Sequence, residues 1–555
     1  MFLTTTPTPA LSLDTKTNDQ SDVTIEEESI EPRIDVGELI ARMTAEQKIG
    51  QLMMIGILES QMTPNLQKRI QNIKPGFLIL FRKNIITPLQ TASLIYNVQT
   101  QSRKTSSMQM LVAVDQEGGD VVRIPTKPSL PTAMALGRSF DLESTFNIGK
   151  YIGEVLSVLG IHMNLAPVLD LSDPEKISFI QTRSFGDNPI DVAKISNEFA
   201  RGVQSSGVVS TAKHFPGLGH MKEDSHKSVV HNNVTKQEFF SKYIKPYEEL
   251  SKEKSISAVM MTHLVYPELD PSLKPATFSA PIINILKNNI KFSGLIMTDD
   301  VEMAGAKFYR TPEERAVQAF LAGNDVLMVA WNKSSQRKAY AGLLRAYKSG
   351  EISEERLNSS LKKILNLKLS MNLNKPLVKP NPKVIIAKLR DNTLKEPVDN
   401  IFEKIMNQEL HRLGDKKDSL DLNHVTVVSA DYEFYRKFKS SYRHKSNFLP
   451  LTKDFTIKNH AGSLNKSSLV IVNVSGPFST LVANALPAQL KRRSIILNSR
   501  YLGSIKNEID FLDVLQLSMK HADVGSYLGS YLDSYSTMGA ALERGLSSSK
   551  VIPEQ

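Results

Sequence analysis

The sequence predicts an α/β protein in which a (β/α)8 barrel is followed by a smaller α/β domain. Eight short apolar runs recur between residues 53 and 329, and longer amphipathic or polar segments separate them. The runs are continuous in apolar character, as in parallel strands that are buried on both faces. Ionisable residues follow five successive runs. The predicted strands are Met53–Ile57, Phe77–Phe81, Leu111–Val114, Met163–Leu169, Val208–Ala212, Ala258–Thr262, Leu295–Met297 and Asp325–Val329.

The ionisable residues favour the barrel over a large doubly wound sheet, which would give the same periodicity. In a barrel the carboxyl ends of all strands converge on one rim, where active sites are built. In an open sheet they would be spread along an edge. The residues are, in chain order, Asp115, Asp170, Lys213 with His214, His263, and Asp299 with Asp300.

Composition divides the chain into four parts. Residues 1–35 are rich in Thr, Pro and Ser and then acidic, so a disordered leader is expected there. The barrel is assigned to residues 36–370 and opens with a helix over Val36–Met54, in which Thr44 is an internal capping candidate. Clustered prolines mark a linker at residues 371–385. The C-terminal α/β domain takes residues 386–555, with a helix near Val398–Leu413 and strands at His424–Ser429, Leu469–Val474 and Ile495–Leu497.

Bulk composition excludes several classes of protein. The absence of cysteine excludes disulfides, thiolate metal sites and cysteine nucleophiles. No apolar run approaches the ~18 residues that a membrane-spanning helix needs. The net charge of +10 comes from scattered lysines without a basic and aromatic block, so no nucleic-acid partner is expected. The leader lacks the basic start and apolar stretch of a secretory signal, which favours a cytoplasmic location, with a periplasmic or secreted one as the alternative.

The loop after the fifth predicted strand is the most polar candidate site. It covers residues 213–226, KHFPGLGHMKEDSH, and its proline and glycines exclude a regular helix or central strand. Asp224 lies two residues before His226, close enough for its carboxylate to fix the ring tautomer and raise its basicity for acid/base chemistry. Metal binding by the three histidines is the competing interpretation, but no ligand spacing supports it, so neither a metal nor a cofactor is expected. A merely solvated loop is the remaining alternative.

Two other strand ends carry candidate carboxylates. Asp299 and Asp300 follow a buried strand, a costly place for charge unless it is paired or used. A carboxylate on a barrel rim is a standard nucleophile for a glycosidic carbon, whereas Asp300 is read as a cap of the next helix. Asp115, before a tight Gly-Gly turn, can accept two sugar hydroxyls, with Arg123 as a donor to the same pocket. Arg183 is a similar candidate donor.

These motifs resemble those of family 3 glycoside hydrolases, specifically their two-domain β-N-acetylglucosaminidases. The most specific is KHFPG at 213–217, followed by DSH at 224–226. Four other stretches resemble family motifs in the correct order across residues 36–370: MTAEQKIGQL at 43–52, residues 164–170, RSFG at 183–186, and TDD at 298–300 with Met303.

The resemblance implies a retaining exo-hydrolase on a TIM-like barrel, followed by a non-catalytic α/β sandwich domain. The implied carbohydrate substrate is a terminal β-linked N-acetylglucosamine, typically on peptidoglycan fragments. By motif position, Asp299 would be the nucleophile, and Asp224 with His226 the acid/base pair. The residues implied to hold the sugar are Asp115, Arg123, Arg183, Lys213 and His214.

Three positions depart from the family pattern. Leu218, His220 and Asp120 stand where the family usually has a histidine, an aspartate and an arginine. The first two are expected to alter the internal hydrogen bonds of the loop, and Asp120 to shift specificity. Rival interpretations are a family 3 phosphorylase, a β-glucosidase and an inactive binder of cell-wall fragments.

Overall fold

The structure is a computed structural model. It describes residues 34–391 except 107, 120, 127–129, 173–179 and 219–228, and beyond them residue 396 and four strands. The predicted leader lies outside the described residues except for its last two positions, and so does the helix predicted at Val398–Leu413. Asp120 and His220 also lie outside them.

Eight strands form the predicted barrel, and the fold class is confirmed. Neighbouring strands pair in parallel in the order β10-β1-β2-β3-β6-β7-β8-β9. A bridge between Met297 and Val326 joins β9 to the start of β10 and closes the barrel. The barrel strands are β1 (Met53–Gly56), β2 (Phe77–Leu80), β3 (Leu111–Val114), β6 (Met163–Asn164), β7 (Val209–Phe215), β8 (Ala258–Met261), β9 (Leu295–Thr298) and β10 (Leu327–Val329). Two further strands, β4 (Gln116–Gly118) and β5 (Val121–Val122), pair antiparallel outside the barrel.

Helices follow the strands, and the apolar core lies between them and the sheet. They are α1 (Val36–Arg42), α2 (Ala45–Gln51), α3 (Pro64–Ile73), α4 (Pro88–Arg103), α5 (Ala133–Ser139), α6 (Leu142–Val158), α7 (Pro189–Gln204), α8 (Lys236–Glu238), α9 (Lys245–Lys252), α10 (Ala280–Asn284), α11 (Pro312–Ala322), α12 (Lys333–Lys348), α13 (Glu354–Ser370) and α14 (Pro382–Arg390). Short 3-10 or π-helical turns occupy residues 82–84, 181–183, 239–243, 276–278, 285–289 and 304–306.

The prediction of one helix over Val36–Met54 was wrong. The chain forms α1 and α2 there, because Thr44 begins a new helix between them. The Thr44 hydroxyl accepts from the Gln47 amide N–H at 3.2 Å, and the Gln47 side chain accepts from the Thr44 amide N–H at 2.9 Å. This reciprocal capping box fixes the start of α2, and β1 follows directly.

Two strand ends differ from the prediction by three residues or more. β7 continues to Phe215, so Lys213 and His214 lie inside the strand and not after it. Its pairing with β8 extends that far through an irregularity between Lys213 and Phe215, despite the polar side chains. The regular strand β6 ends at Asn164, earlier than the predicted Leu169, but the chain keeps pairing with β7 beyond it. Val168 bridges Lys213, and the Leu169 amide N–H donates to the Lys213 carbonyl oxygen at 2.7 Å.

The C-terminal part contains a second parallel sheet. Its order is β12-β11-β13-β14, with β11 (His424–Ser429), β12 (Lys445–Pro450), β13 (Leu469–Val474) and β14 (Ser494–Asn498). The three predicted strands are confirmed, and β12 was missed. Before this sheet, α14 contacts α4 and α6 of the barrel and buries Ile385. No helix within the described ranges is long and apolar enough to cross a membrane.

Candidate active site

A cluster of buried charges lies at the carboxyl end of β3. Glu117 accepts two hydrogen bonds from Arg183, from Nε to Oε2 and from Nη2 to Oε1, each at 2.8 Å. The Lys213 ammonium lies 2.6 Å from the same Glu117 Oε1 and 2.8 Å from Asp115 Oδ1. Arg123 Nη2 lies 3.6 Å from Asp115 Oδ2. Four of the residues predicted to bind sugar are thus brought together, and Glu117 joins two of them.

Local backbone geometry explains how Asp115 and Glu117 reach the cluster. Asn164 at the end of β6 pairs with the backbone of Gln116 through two hydrogen bonds of 3.0 Å. The Gln116 side chain in turn accepts from the amide groups of Arg123 and Ile124. The hairpin turn after Glu117 contains Gly118 with φ of 104°, where a side chain would also overlap the Pro131 carbonyl oxygen. This frame therefore holds both acids and Arg123 in place.

The cluster keeps its charges despite burial. Burial alone would raise the pKa of Glu117, but Arg183 and Lys213 outweigh it and hold that pKa well below its usual value. Burial would likewise lower the pKa of Lys213, yet Asp115 and Glu117 raise it, and Glu117 does the same for Arg183. Glu117, Lys213 and Arg183 therefore each favour the charged form, as a buried network of ion pairs requires.

His214 forms a second pair beside the cluster. Its Nδ1 lies 2.7 Å from Asp170 Oδ2, and its backbone N–H donates to the same oxygen. The other Asp170 oxygen accepts from the Leu218 amide N–H at 2.7 Å. Because an ionised carboxylate only accepts, Asp170 fixes Nδ1 as the protonated nitrogen and leaves Nε2 for another partner. The Asp170 charge also acts on Arg183, which links this pair to the cluster.

Hydrogen bonds hold the residues on both sides of the loop that carries Asp224 and His226. The Gly217 carbonyl accepts from the Tyr266 hydroxyl at 2.6 Å, and the Leu218 side chain is buried. After the loop, backbone hydrogen bonds tie residues 230 and 232 to Val265. Asp224 and His226 themselves lie outside the described residues, so their place relative to the cluster stays a prediction.

Asp299 lies at the end of β9 on the same rim of the barrel. Its Oδ1 accepts from the Asp300 amide N–H at 2.7 Å. Asp300 is buried, and its Oδ1 accepts from the amide groups of Glu302 and Ala330 at 3.1 and 3.2 Å. Burial raises the pKa of Asp300 to about 7. The two hydrogen bonds lower this pKa, whereas the charges of Glu302 and Asp299 raise it further. Asp300 thus caps a turn and the end of β10, whereas a cap of the next helix was expected.

His263 occupies the end of β8, next to the Asp299 turn. Its Nε2 lies 3.0 Å from the Asp300 carbonyl oxygen, and its Nδ1 lies 2.8 Å from the Thr277 hydroxyl. Since a carbonyl only accepts, Nε2 carries a proton and donates to Asp300, while the Thr277 hydroxyl beside Nδ1 also donates to the Thr262 carbonyl oxygen at 2.9 Å. His263 therefore supports the backbone that presents Asp299.

Glu117 is the site residue that the sequence interpretation missed. It lies two positions after Asp115, so the two carboxylates are spaced for the same side of an extended strand. That spacing is the sequence signal from which Glu117 could have been predicted as a second acid of the site. Within the described ranges, no group of three or more His, Asp or Glu side chains is placed to hold a metal ion.

Comparison with known proteins adds a family match. Residues 44–367 match the family model described as "Glycosyl hydrolase family 3 N terminal domain". The chain is 28% identical over 369 residues to the Beta-hexosaminidase A of Pseudoalteromonas piscicida, an alignment that covers 59% of this chain and 62% of that relative. It is 33% identical over 263 residues to a Beta-hexosaminidase of Psychromonas ingrahamii, covering 46% of this chain and 76% of the relative.

A solved structure is similar over most of both chains. The glycoside hydrolase family 3 β-N-acetylglucosaminidase from Paenibacillus sp. strain FPU-7 superimposes with a TM-score of 0.72 and 27% identity. The match covers 86% of this chain and 96% of that one. The similarity therefore extends beyond the barrel.

Proposed function

This chain belongs to glycosyl hydrolase family 3, and on that premise we propose that it is a retaining exo-β-N-acetylglucosaminidase. The proposed substrate is a terminal β-linked N-acetylglucosamine, with peptidoglycan fragments as its natural source. The observation that carries the proposal is the position of Asp299 on the same barrel rim as the buried cluster of Asp115, Glu117, Arg183 and Lys213. The names of the hexosaminidase relatives support the choice of sugar.

The cluster suits the binding of a neutral sugar. Each acid in it already has a cationic partner, so the cluster offers directed donors and acceptors without an unpaired charge. Asp115 and Arg123 are partly exposed, at 15% and 30% of their side chains, and face the solvent side of the cluster. We assign Asp115, Arg123, Arg183, Lys213 and His214 to sugar binding, and Glu117 to holding two of them.

The proposed reaction has two steps. The Asp299 carboxylate attacks the anomeric carbon, the bond from that carbon to the leaving-group oxygen breaks, and His226 gives this oxygen its proton. His226 then takes a proton from water, whose oxygen displaces Asp299 and restores the β configuration. Asp224 orients the His226 ring. A neutral histidine base adds no second negative charge beside Asp299, which helps Asp299 to stay ionised.

The test is hydrolysis of 4-nitrophenyl β-N-acetylglucosaminide. Asp299→Ala is expected to lower kcat by at least about a thousandfold while the thermal unfolding curve stays unchanged, because the glycosyl-enzyme intermediate cannot form. Asp191→Ala, at an exposed aspartate on α7, is the matched control and should keep full activity. Well-folded protein that cleaves no N-acetylglucosaminide would refute the proposal. A product that becomes the sugar phosphate when phosphate is added would indicate a phosphorylase instead.

A further inference from the structure

Two carboxylates of the turn after β9 reach across to the start of α12. Glu302 Oε2 accepts from the amide groups of Trp331 and Asn332, each at 2.9 Å. The amide group of the preceding residue, Ala330, donates to Asp300 Oδ1 at 3.2 Å. Three successive amide groups beyond the end of β10 therefore donate to side chains of this turn and not to a strand. We call these two carboxylates, of Asp300 and Glu302, the brace.

The same turn presents the proposed nucleophile. The Asp299 amide N–H donates to the Met261 carbonyl oxygen of β8 at 3.2 Å, and the Val301 amide N–H donates to the Met328 carbonyl oxygen of β10 at 3.1 Å. The Asp299 Oδ1 atom accepts from the Asp300 amide N–H at 2.7 Å. The direction of the Asp299 carboxylate therefore depends on the position of the Asp300 backbone, and whatever fixes Asp300 also orients Asp299.

The segment that the brace reaches is itself held in place. The Trp331 ring stacks on Phe81, the residue directly after β2, with ring centroids 4.1 Å apart. The Lys83 ammonium lies 4.3 Å from the centroid of the same Trp331 ring. Asn332 is the N-cap of α12, and its side chain accepts from two amide groups of the first helical turn. The brace thus ties the turn after β9 to a part of the rim that a second strand end and a helix both fix.

The surroundings of the brace limit the cost of placing two acids beside Asp299. Glu302 lies at the amino end of α12, where the helix dipole favours a carboxylate. Burial lowers the pKa of Arg315, and the charges of Glu302 and Asp300 oppose this shift, so a cation of α11 faces both acids. Asp300 is 5% exposed, and its pKa of about 7 means that it carries a proton in acidic solution. A protonated carboxyl group still accepts through its carbonyl oxygen, so the brace persists without a full charge on Asp300.

We propose that Glu302, acting with Asp300, is a positioning residue that holds the Asp299 carboxylate in line with the anomeric carbon. This inference rests on the function proposed above and adds a residue on which its nucleophilic step depends. Glu302 acts through the backbone of the turn and not by contact with the sugar. Because misplacement of a reacting group by about 1 Å can lower a rate about a hundredfold, loss of the brace should lower kcat and leave KM nearly unchanged.

The test compares Glu302→Ala with Glu302→Gln in the hydrolysis of aryl β-N-acetylglucosaminides. Alanine removes the acceptor of two amide groups, so kcat for the phenyl glycoside should fall about tenfold to a hundredfold, with KM within about twofold. Glutamine keeps an oxygen acceptor at the same distance along the side chain and should restore most of this loss.

A second substrate distinguishes the nucleophile from the general acid. A 2,4-dinitrophenyl group departs without a proton, whereas a phenyl group needs one. Glu302→Ala should lower kcat/KM by the same factor for both glycosides, because both need a correctly placed Asp299. A much larger loss for the phenyl glycoside would place the defect at the general acid and would overturn the proposal.

Ser360→Ala is the control for a loss of stability alone. Ser360 is buried and donates to the Asp325 carboxylate at the amino end of the barrel, opposite the rim that carries Asp299. This variant should lower the Tm but keep kcat at a temperature where circular dichroism shows both alanine variants folded. Equal kcat in Glu302→Ala and Ser360→Ala, or no recovery in Glu302→Gln, would overturn the positioning role. Wild-type protein that cleaves none of these glycosides would overturn the proposed function instead, which is a distinct result.

Discussion

Replacement of Glu117 by glutamine tests the charged cluster most directly. Glutamine keeps the size of the side chain, but it removes the negative charge and turns one acceptor into a donor. That donor then faces Arg183 or Lys213, which are themselves only donors. Glu117 has 4% of its side chain exposed and Lys213 has 2%, so water cannot replace the lost partner.

The expected loss in the free energy of unfolding follows from this burial. Breaking a buried ion pair by removing one partner costs about 3–5 kcal/mol. Lys213 keeps Asp115 at 2.8 Å, which places the loss near the lower end, at about 3 kcal/mol. With an unfolding entropy of roughly 2.1 cal/mol/K per residue over the barrel, the Tm falls by about 4 °C. The kcat/KM for the nitrophenyl glycoside should fall too, because Arg183 and Lys213 lose their common anchor.

Thermal unfolding followed by circular dichroism provides the measurement, and a surface ion pair provides the control. Glu354 pairs with Lys48 at 2.6 Å but has 52% of its side chain exposed. Glu354→Gln makes the same chemical change at an exposed pair, which contributes at most about 1 kcal/mol. If Glu117→Gln lowered the Tm no more than Glu354→Gln does, the cluster would not depend on the buried charge of Glu117, and the reasoning would be refuted.

Three further predictions concern two buried side chains and one close backbone contact. The pKa of Asp300 is about 7 in the folded state against an ordinary value of 3.8, so the free energy of unfolding should fall as the pH rises from about 4 to 7. Asp300→Asn should remove this fall. Urea unfolding across the range checks it, and an unchanged pH slope in the variant would contradict it. Lys368 has the opposite sign: burial lowers its pKa from 10.5 to about 7, so the folded protein binds fewer protons and its stability rises with pH between these values. Lys368→Met should abolish that rise in urea unfolding from pH 7 to 10, and a rise that persists would assign it to another group. Gly137→Ala would make a methyl group overlap the Phe185 carbonyl oxygen and displace the segment that carries Arg183; a higher KM for the nitrophenyl glycoside is expected, and unchanged KM and Tm would show that the segment adjusts freely.

The barrel was predictable because its strands are buried on both faces and therefore read as continuous apolar runs. The strand boundaries were less predictable, because polar residues that find buried partners also lie inside the strands. Lys213 lies inside β7 because Asp115 and Glu117 neutralise it there, and neither acid is near it in sequence. β12, Lys445–Pro450, was missed because it mixes polar and apolar residues without a run.

The candidate site was predictable in part and for a different reason. Asp115, Lys213 and Asp299 stand directly after or within strands, and the barrel brings such positions to one rim. The role of Glu117 comes from its pairing with Arg183 and Lys213, and the sequence pattern does not show that these distant residues meet at the rim. The aromatic pair of Phe81 and Trp331 likewise joins residues about 250 positions apart and was not foreseen.

The closure of the barrel has a consequence for hydrogen exchange. Beyond the bridge of Met297 and Val326, two amide groups of the last strand region donate to side chains of the β9 end: Met328 to the Thr298 hydroxyl at 3.0 Å, and Ala330 to the Asp300 carboxylate. A side chain can rotate away without breaking a ladder, whereas a strand carbonyl cannot. Amide hydrogens of the barrel strands should therefore exchange for deuterium first at Met328 and Ala330. If ionisation drives Asp300 out of its buried position, exchange at Ala330 above pH 7 should be faster than the base-catalysed rate alone predicts. The barrel would then loosen beside Asp299, the proposed nucleophile.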